Sequence, residues 1–189
     1  MSKVENYDYY DSIGSMGRKL VKDFLVKNGF IIKDEEEALG RIDYEDKRGE
    51  NYIKLRKSGL LNIIDWKLYE TNPLNFLCDV QVKTTKMQGG GLFIKEKDIN
   101  EYEEINPLII HVVLEQPHIA FTRRYDLGKV ACGFYNDLTE VKRIKEGDFK
   151  NSKPSILYST EKFDIIYPKQ DESIIHIVKN KLKGVLVNG

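Results

Sequence analysis

Cysteine is nearly absent: Cys78 and Cys132 are the only two in 189 residues, and neither has a second metal ligand at finger spacing. That excludes a disulfide framework and a zinc finger, and both thiols are expected to be free and buried. Excess charge is missing as well, since 30 Lys and Arg balance 30 Asp and Glu. No global positive field draws the chain to a polyanion, so nucleic-acid binding would have to rest on a local basic patch. No run approaches membrane-spanning length, and Met1 to Tyr7 holds no apolar leader core. The expected setting is the cytoplasm, with no membrane partner. Repeats and low-complexity linkers are absent too. What remains is an ordinary globular balance, 41% hydrophobic and 32% charged, in a chain long enough for one real core. We read residues 1–189 as a single domain.

Along the chain, Leu20, Val21, Phe24 and Leu25 form one apolar stripe and predict a helix over 17–28, with Ser12 or Ser15 as its cap. Asn28-Gly29 supplies a residue tolerant of positive φ at its end. Phe30-Ile31-Ile32 reads as a short strand, and a weak strand is expected near Tyr52 to Leu55 within a charged stretch. Leu60 to Tyr69 and Phe76 to Thr84 read as two strands of a hairpin, with Asn72-Pro73 marking the turn. Leu92 to Lys95 is a strand, Lys97 to Ile105 a helix, and Leu108 to Leu114 a strand apolar enough to lie inside a sheet. Ile119 to Thr122 and Phe163 to Tyr167 are further candidate strands, and Glu172 to Leu186 a helix. The stretch 125–153 is the least legible. The plan is α/β with a mixed sheet.

The most informative stretch is Phe76-Leu77-Cys78-Asp79-Val80-Gln81-Val82-Lys83. Strand side chains alternate faces, so Cys78, Val80 and Val82 share one face while Asp79, Gln81 and Lys83 share the other. A carboxylate, an amide and an ammonium in a row on so apolar a strand need either water or chemistry to satisfy them. Asp65 stands upstream in Ile63-Ile64-Asp65-Trp66. A turn from Thr71 to Asn75 pairs Glu70 with Phe76 and sets Asp65 opposite Gln81. A turn one residue shorter sets Asp65 opposite Val80, on the wrong face. A shared Asp65–Gln81 site therefore needs the longer turn or a bulge.

The run Gly17, Leu20, Leu25, Gly29-Phe30, then Asp65, then Gln81-Val82-Lys83, then a helix and an apolar strand, resembles the PD-(D/E)XK nuclease superfamily. The resemblance covers about 12–116 and leaves 117–189 as a C-terminal extension. It implies a restriction-endonuclease-like fold, a central mixed β-sheet flanked by helices, with the acidic residue on the second strand and the Gln-x-Lys motif on the third. Carried over, Asp65 is the metal-binding aspartate, Gln81 the second metal ligand and Lys83 the catalytic lysine. Two positions depart from the pattern: Arg18 follows Gly17 where members often carry Glu, and Gln81 replaces the commoner Glu.

The chemistry is consistent on its own terms. Phosphodiester hydrolysis needs a hard cation to neutralise developing charge and polarise a water. Mg²⁺, with Mn²⁺ as substitute, takes oxygen ligands and keeps several waters. Asp65 supplies a carboxylate, Gln81 its amide oxygen and Val82 its backbone carbonyl. Lys83 can orient the attacking water and stabilise the five-coordinate phosphorus, and Asp79 is a further carboxylate on the same face. DNA is the expected partner, with Arg18, Lys19 and Lys86 as backbone contacts, and a homodimer is compatible with the sequence.

The structural alternatives are specific. Gln81 and Lys83 could be the solvated face of an edge strand, and His111 a satisfied core histidine. Lys86, Arg123 and Arg124 could be solvated surface, and Tyr7, Tyr9 and Tyr10 an arm packed on its own core. Gly89-Gly90-Gly91 lacks a following Lys-Ser or Lys-Thr and is no phosphate loop. The competing function is a catalytically inactive member of the fold that binds nucleic acid or a protein partner.

Overall fold

The computed structural model describes residues 3–34, 64–70, 75–86, 91–115, 126–148, 153–167, 176 and 179–180. Its elements in chain order are helix α1 (Lys3–Lys27), strands β1 (Ile31–Lys33), β2 (Trp66–Tyr69), β3 (Phe76–Lys86) and β4 (Gly91–Lys95), and helix α2 (Glu96–Ile105). There follow β5 (Leu108–Glu115), β6 (Asp126–Phe134), a 3-10 turn (Tyr135–Asp137), β7 (Thr139–Ile144), β8 (Ser155–Ser159) and β9 (Asp164–Tyr167). The class is α/β. The expected strands at Tyr52–Leu55 and Ile119–Thr122, and most of the Glu172–Leu186 helix, lie outside the described residues; His176, Lys179 and Asn180 are helical. Lys179 forms an ion pair with Glu70, at the end of β2.

Helix α1 starts well before the expected residue 17, and Ser12 and Ser15 lie inside it rather than at a cap. The stripe explains the extension back to Ile13: Ile13 and Met16 continue the spacing of Leu20, Val21, Phe24 and Leu25, and all of them pack into one apolar cluster. The C-terminus ends as the sequence predicts. Asn28 donates its side-chain amide to the Phe24 carbonyl at 2.7 Å, and Gly29 takes a φ of 84°. Helix α2 ends in the same left-handed way at Asn106, φ 47°, ahead of Pro107.

Six strands form the main sheet in the order β1-β2-β3-β5-β6-β9. The β3–β5 pair is parallel, while the other neighbours run antiparallel, so the sheet is mixed. A parallel return needs a crossover, and β4 with α2 provide it between β3 and β5. A second sheet, β4-β8-β7, forms beside it. Both β6 and β7 come from the stretch 125–153 that the sequence left illegible: β6 reads through two glycines, and β7 has five exposed residues, so neither carries a clear alternation.

The main sheet is covered on both faces. Cys78, Val80 and Val82 of β3, with Leu108, Ile110, Val112 and Leu114 of β5, pack against Val21 and Leu25 of α1. Ile109 of β5 and Ala131 of β6 face the other way, into a cluster with Tyr102 of α2 and Leu92, Ile94, Ile156 and Tyr158 of the second sheet. Strand β5 is thus buried on both sides, as its apolar run requires. Both cysteines are free and buried, and burial raises the Cys78 thiol far above its ordinary range.

Candidate active site

Asp65 lies just ahead of β2, and the β2–β3 register decides where it points. Glu70 N–H donates to the Asn75 carbonyl at 3.3 Å and Tyr69 stands opposite Phe76, which is the shorter-turn register. Between Tyr69 and Leu68 the ladder shifts by one residue, and Leu68, Lys67 and Trp66 then stand opposite Cys78, Asp79 and Val80. This bulge restores the pairing that the longer turn would have produced. It brings Asp65 to Gln81.

The contact is direct. The Gln81 side-chain amide donates to Asp65 Oδ2 at 2.5 Å, and the backbone N–H of Val82 donates to the same oxygen at 2.8 Å. Because β2 begins at Trp66, the carboxylate does for Val82 what a longer strand would have done with a carbonyl. Arg18 of α1 places Nη1 3.7 Å from Asp65 Oδ1. Gln81 is buried, at 5% exposure, and its Oε1 has no hydrogen-bond partner among the described residues. Its Nε2 also reaches the Val82 carbonyl at 3.3 Å.

Strand β3 lies between β2 and β5, so the edge-strand alternative for Gln81 and Lys83 is overturned: β3 is central and Gln81 is buried. Lys83 extends under α2, with Nζ 5.3 Å from the centre of the Tyr102 ring. Burial is the largest influence on this ammonium and lowers its pKa below the usual lysine value. The carboxylates of Asp65 and Asp98 oppose that shift, while Lys95 and Arg18 add to it. The Tyr102 face also favours the charged form.

Of the remaining expected residues, Asp79 is opposite Lys67, one pair further from the site than Gln81. Lys19 is exposed on α1 and Lys86 ends β3 opposite Leu114. Tyr7, Tyr9 and Tyr10 belong to α1. Arg123, Arg124 and Gly89-Gly90 are outside the described residues. His111 is a core histidine as expected: it is 3% exposed and shares a 2.9 Å hydrogen bond with Thr85. Burial lowers its pKa to about 4.

Sequence reading missed three neighbours of Lys83, namely Lys95, Asp98 and Tyr102. Asp98 is only 13% exposed despite its place in the first turn of α2. In the sequence, Lys95 to Asp98 is an unremarkable charged helix start, and only the crossover folds it over β3. Among the described residues no cluster of three His, Cys, Asp or Glu side chains could hold a metal. An Mg²⁺ site does not require one, since that ion binds through one or two carboxylates, waters and substrate phosphates. The oxygens at hand fit it: the Asp65 carboxylate, the buried Gln81 Oε1 and the Val82 carbonyl. Turning the Gln81 amide about its broad terminal torsion would exchange its nitrogen for its oxygen at Asp65. Comparison with known protein families, with curated proteins and with solved structures finds no match.

Proposed function

We propose that this chain is a Mg²⁺-dependent nuclease of the restriction-endonuclease-like fold that hydrolyses phosphodiester bonds of DNA. The observation that carries the reading is the meeting of Asp65 and Gln81 at 2.5 Å on a central strand. Lys83, two residues on, presents a half-buried ammonium from the same strand face. The order α1-β1-β2-β3-β4-α2-β5, in which β4 and α2 form the crossover that sets β3 parallel to β5, agrees with this reading. So does the position of the acidic residue at the second strand and of Gln-x-Lys on the third.

Asp65, Gln81 and the Val82 carbonyl would hold the cation, and Mn²⁺ would substitute for it. When bound, Mg²⁺ supplies Lewis-acid polarisation of a phosphate oxygen and of a water. Lys83 orients the attacking water and offsets negative charge as it builds on the phosphate. Its partial desolvation strengthens that electrostatic effect. Arg18 and Lys19 make the local basic surface that a chain of zero net charge needs, and few such contacts give a shallow salt dependence.

The inactive-module reading is favoured by one observation, the Arg18–Asp65 ion pair, which neutralises the carboxylate without a metal. Cleavage of plasmid and branched duplex DNA separates the two. Nuclease action requires Mg²⁺- or Mn²⁺-dependent cutting that a chelator stops and that Lys83→Ala abolishes. Cutting that survives Lys83→Ala or the chelator refutes this site, and DNA binding without any cutting supports the inactive module.

A further inference from the structure

Helix α1 approaches β3 unusually closely at one point. A Cβ built on Gly17 would lie 2.0 Å from Thr84 Oγ1, 2.8 Å from its Cγ2 and 2.9 Å from its Cβ. No rotamer of Thr84 relieves a clash that includes its own Cβ, so only glycine permits this contact. The next residue on the helix is Arg18, and the close approach holds it at Asp65. Its guanidinium sits 3.7 Å from Asp65 Oδ1, with Nη2 3.4 Å from Ser15 Oγ. This is a loose ion pair, too long for a direct hydrogen bond to the carboxylate. Arg18 is 35% exposed against 16% for Asp65, so the arginine is the partner with more freedom to swing into solvent while the aspartate stays in the site.

We propose that Arg18 is an exchangeable counter-ion of the site: it neutralises Asp65 while no divalent cation is bound, and moves to a backbone phosphate of the nucleic acid when one is. The proposal rests on the nuclease reading above. Asp65 Oδ2 already accepts from Gln81 and from Val82 N–H, which leaves Oδ1 as the oxygen facing Arg18. A divalent cation at Asp65 would be repelled by the guanidinium that stands 3.7 Å from the same carboxylate. The arginine therefore opposes metal binding until something else takes its charge. A phosphate does this well, because the planar guanidinium donates two parallel hydrogen bonds to it. Metal and DNA thus become mutually favourable ligands, each removing the obstacle to the other.

The test uses the full chain, with Mn²⁺ alone as the first probe and short duplex DNA in Ca²⁺ as the second. Calorimetric titration of Arg18→Gln should show Mn²⁺ binding about tenfold tighter than wild type, and a DNA salt slope smaller by about one. Arg18→Lys keeps the charge but not the fork, so it should bind Mn²⁺ like wild type and DNA more weakly. In wild type, saturating DNA should tighten Mn²⁺ binding, and in Arg18→Gln it should do so much less. Equal Mn²⁺ affinity in wild type and Arg18→Gln overturns the proposal while leaving the nuclease reading intact. Absence of Mn²⁺ binding in both, with DNA present, overturns both.

Discussion

Gln81 hands its side-chain amide to Asp65 across 2.5 Å, and a β-bulge makes the contact. Near the turn, Tyr69 opposite Phe76 follows a register that would leave Asp65 facing the α1 core, where Trp66 and Val80 pack. The one-residue shift before Leu68 reverses every face beyond it. One extra residue on β3 therefore separates a buried polar site from a buried unpaired carboxylate.

Lys83 carries charge that burial penalises, so its replacement separates function from stability. Lys83→Met should reduce cleavage at least a hundredfold, in line with the loss of a preorganised electrostatic group. It should leave the melting temperature unchanged or raised, because methionine fills much of the space beside Tyr102 without a desolvated ammonium. Thermal denaturation and a cleavage assay on one preparation check both halves.

Changes of charge at the Asp65–Gln81 pair, the proposed cation site, should act in opposite directions. Asp65→Asn removes the carboxylate and should abolish both Mn²⁺ binding and cleavage. Gln81→Glu places two carboxylates at the 2.5 Å contact, and near neutrality they repel or must share a proton. The metal-free variant should be less stable by about 1–2 kcal/mol. Saturating Mn²⁺ should then raise its melting temperature by more than it raises that of wild type. A shift no larger than that of wild type would show that position 81 does not bind the cation.

The helix–strand contact predicts a rescue. Gly17→Ala should cost about 1–3 kcal/mol, because its Cβ collides with Thr84. Since Thr84 Oγ1 has no hydrogen-bond partner among the described residues, Thr84→Ala should cost little hydrogen bonding. The double variant should therefore be more stable than the sum of the single changes. Denaturant midpoints in a double-mutant cycle measure that coupling.

His111 ties stability to pH. Its pKa falls from 6.5 to about 4 in the fold, through burial and then the charge of Lys129. Above pH 6.5 both folded and unfolded forms are neutral, and the residue adds no pH dependence. Below 6.5 the unfolded chain takes up the proton first, so stability is lost as pH falls toward 4, by up to about 3 kcal/mol. His111→Gln should flatten the urea-midpoint profile between pH 6.5 and 4, and an unchanged slope there would locate the acid sensitivity elsewhere.

Much of this fold was legible as local pattern. The alternation of Cys78, Val80 and Val82 against Asp79, Gln81 and Lys83 specified a strand with one apolar and one polar face, and the two faces do diverge that way. The apolar run Leu108 to Leu114 specified a strand buried on both sides, and Asn28-Gly29 specified the end of α1. These features depend on neighbours in sequence, where period and propensity act directly.

What only the tertiary structure decided depends on partners far apart in the chain. Sequence left open whether Asp65 meets Gln81 or turns away, because a bulge obeys the packing of the whole sheet and not the composition of the turn. It offered Arg18 as a DNA contact, but only the Gly17–Thr84 approach sets that side chain at Asp65. It passed over Asp98 and Tyr102, whose importance comes from a crossover that lays α2 over β3. Residue types and spacing thus supplied the groups capable of the chemistry. Burial, register and the close approach of α1 decided which of them share a site, because those are properties of surfaces brought together by folding and are not encoded within any one segment.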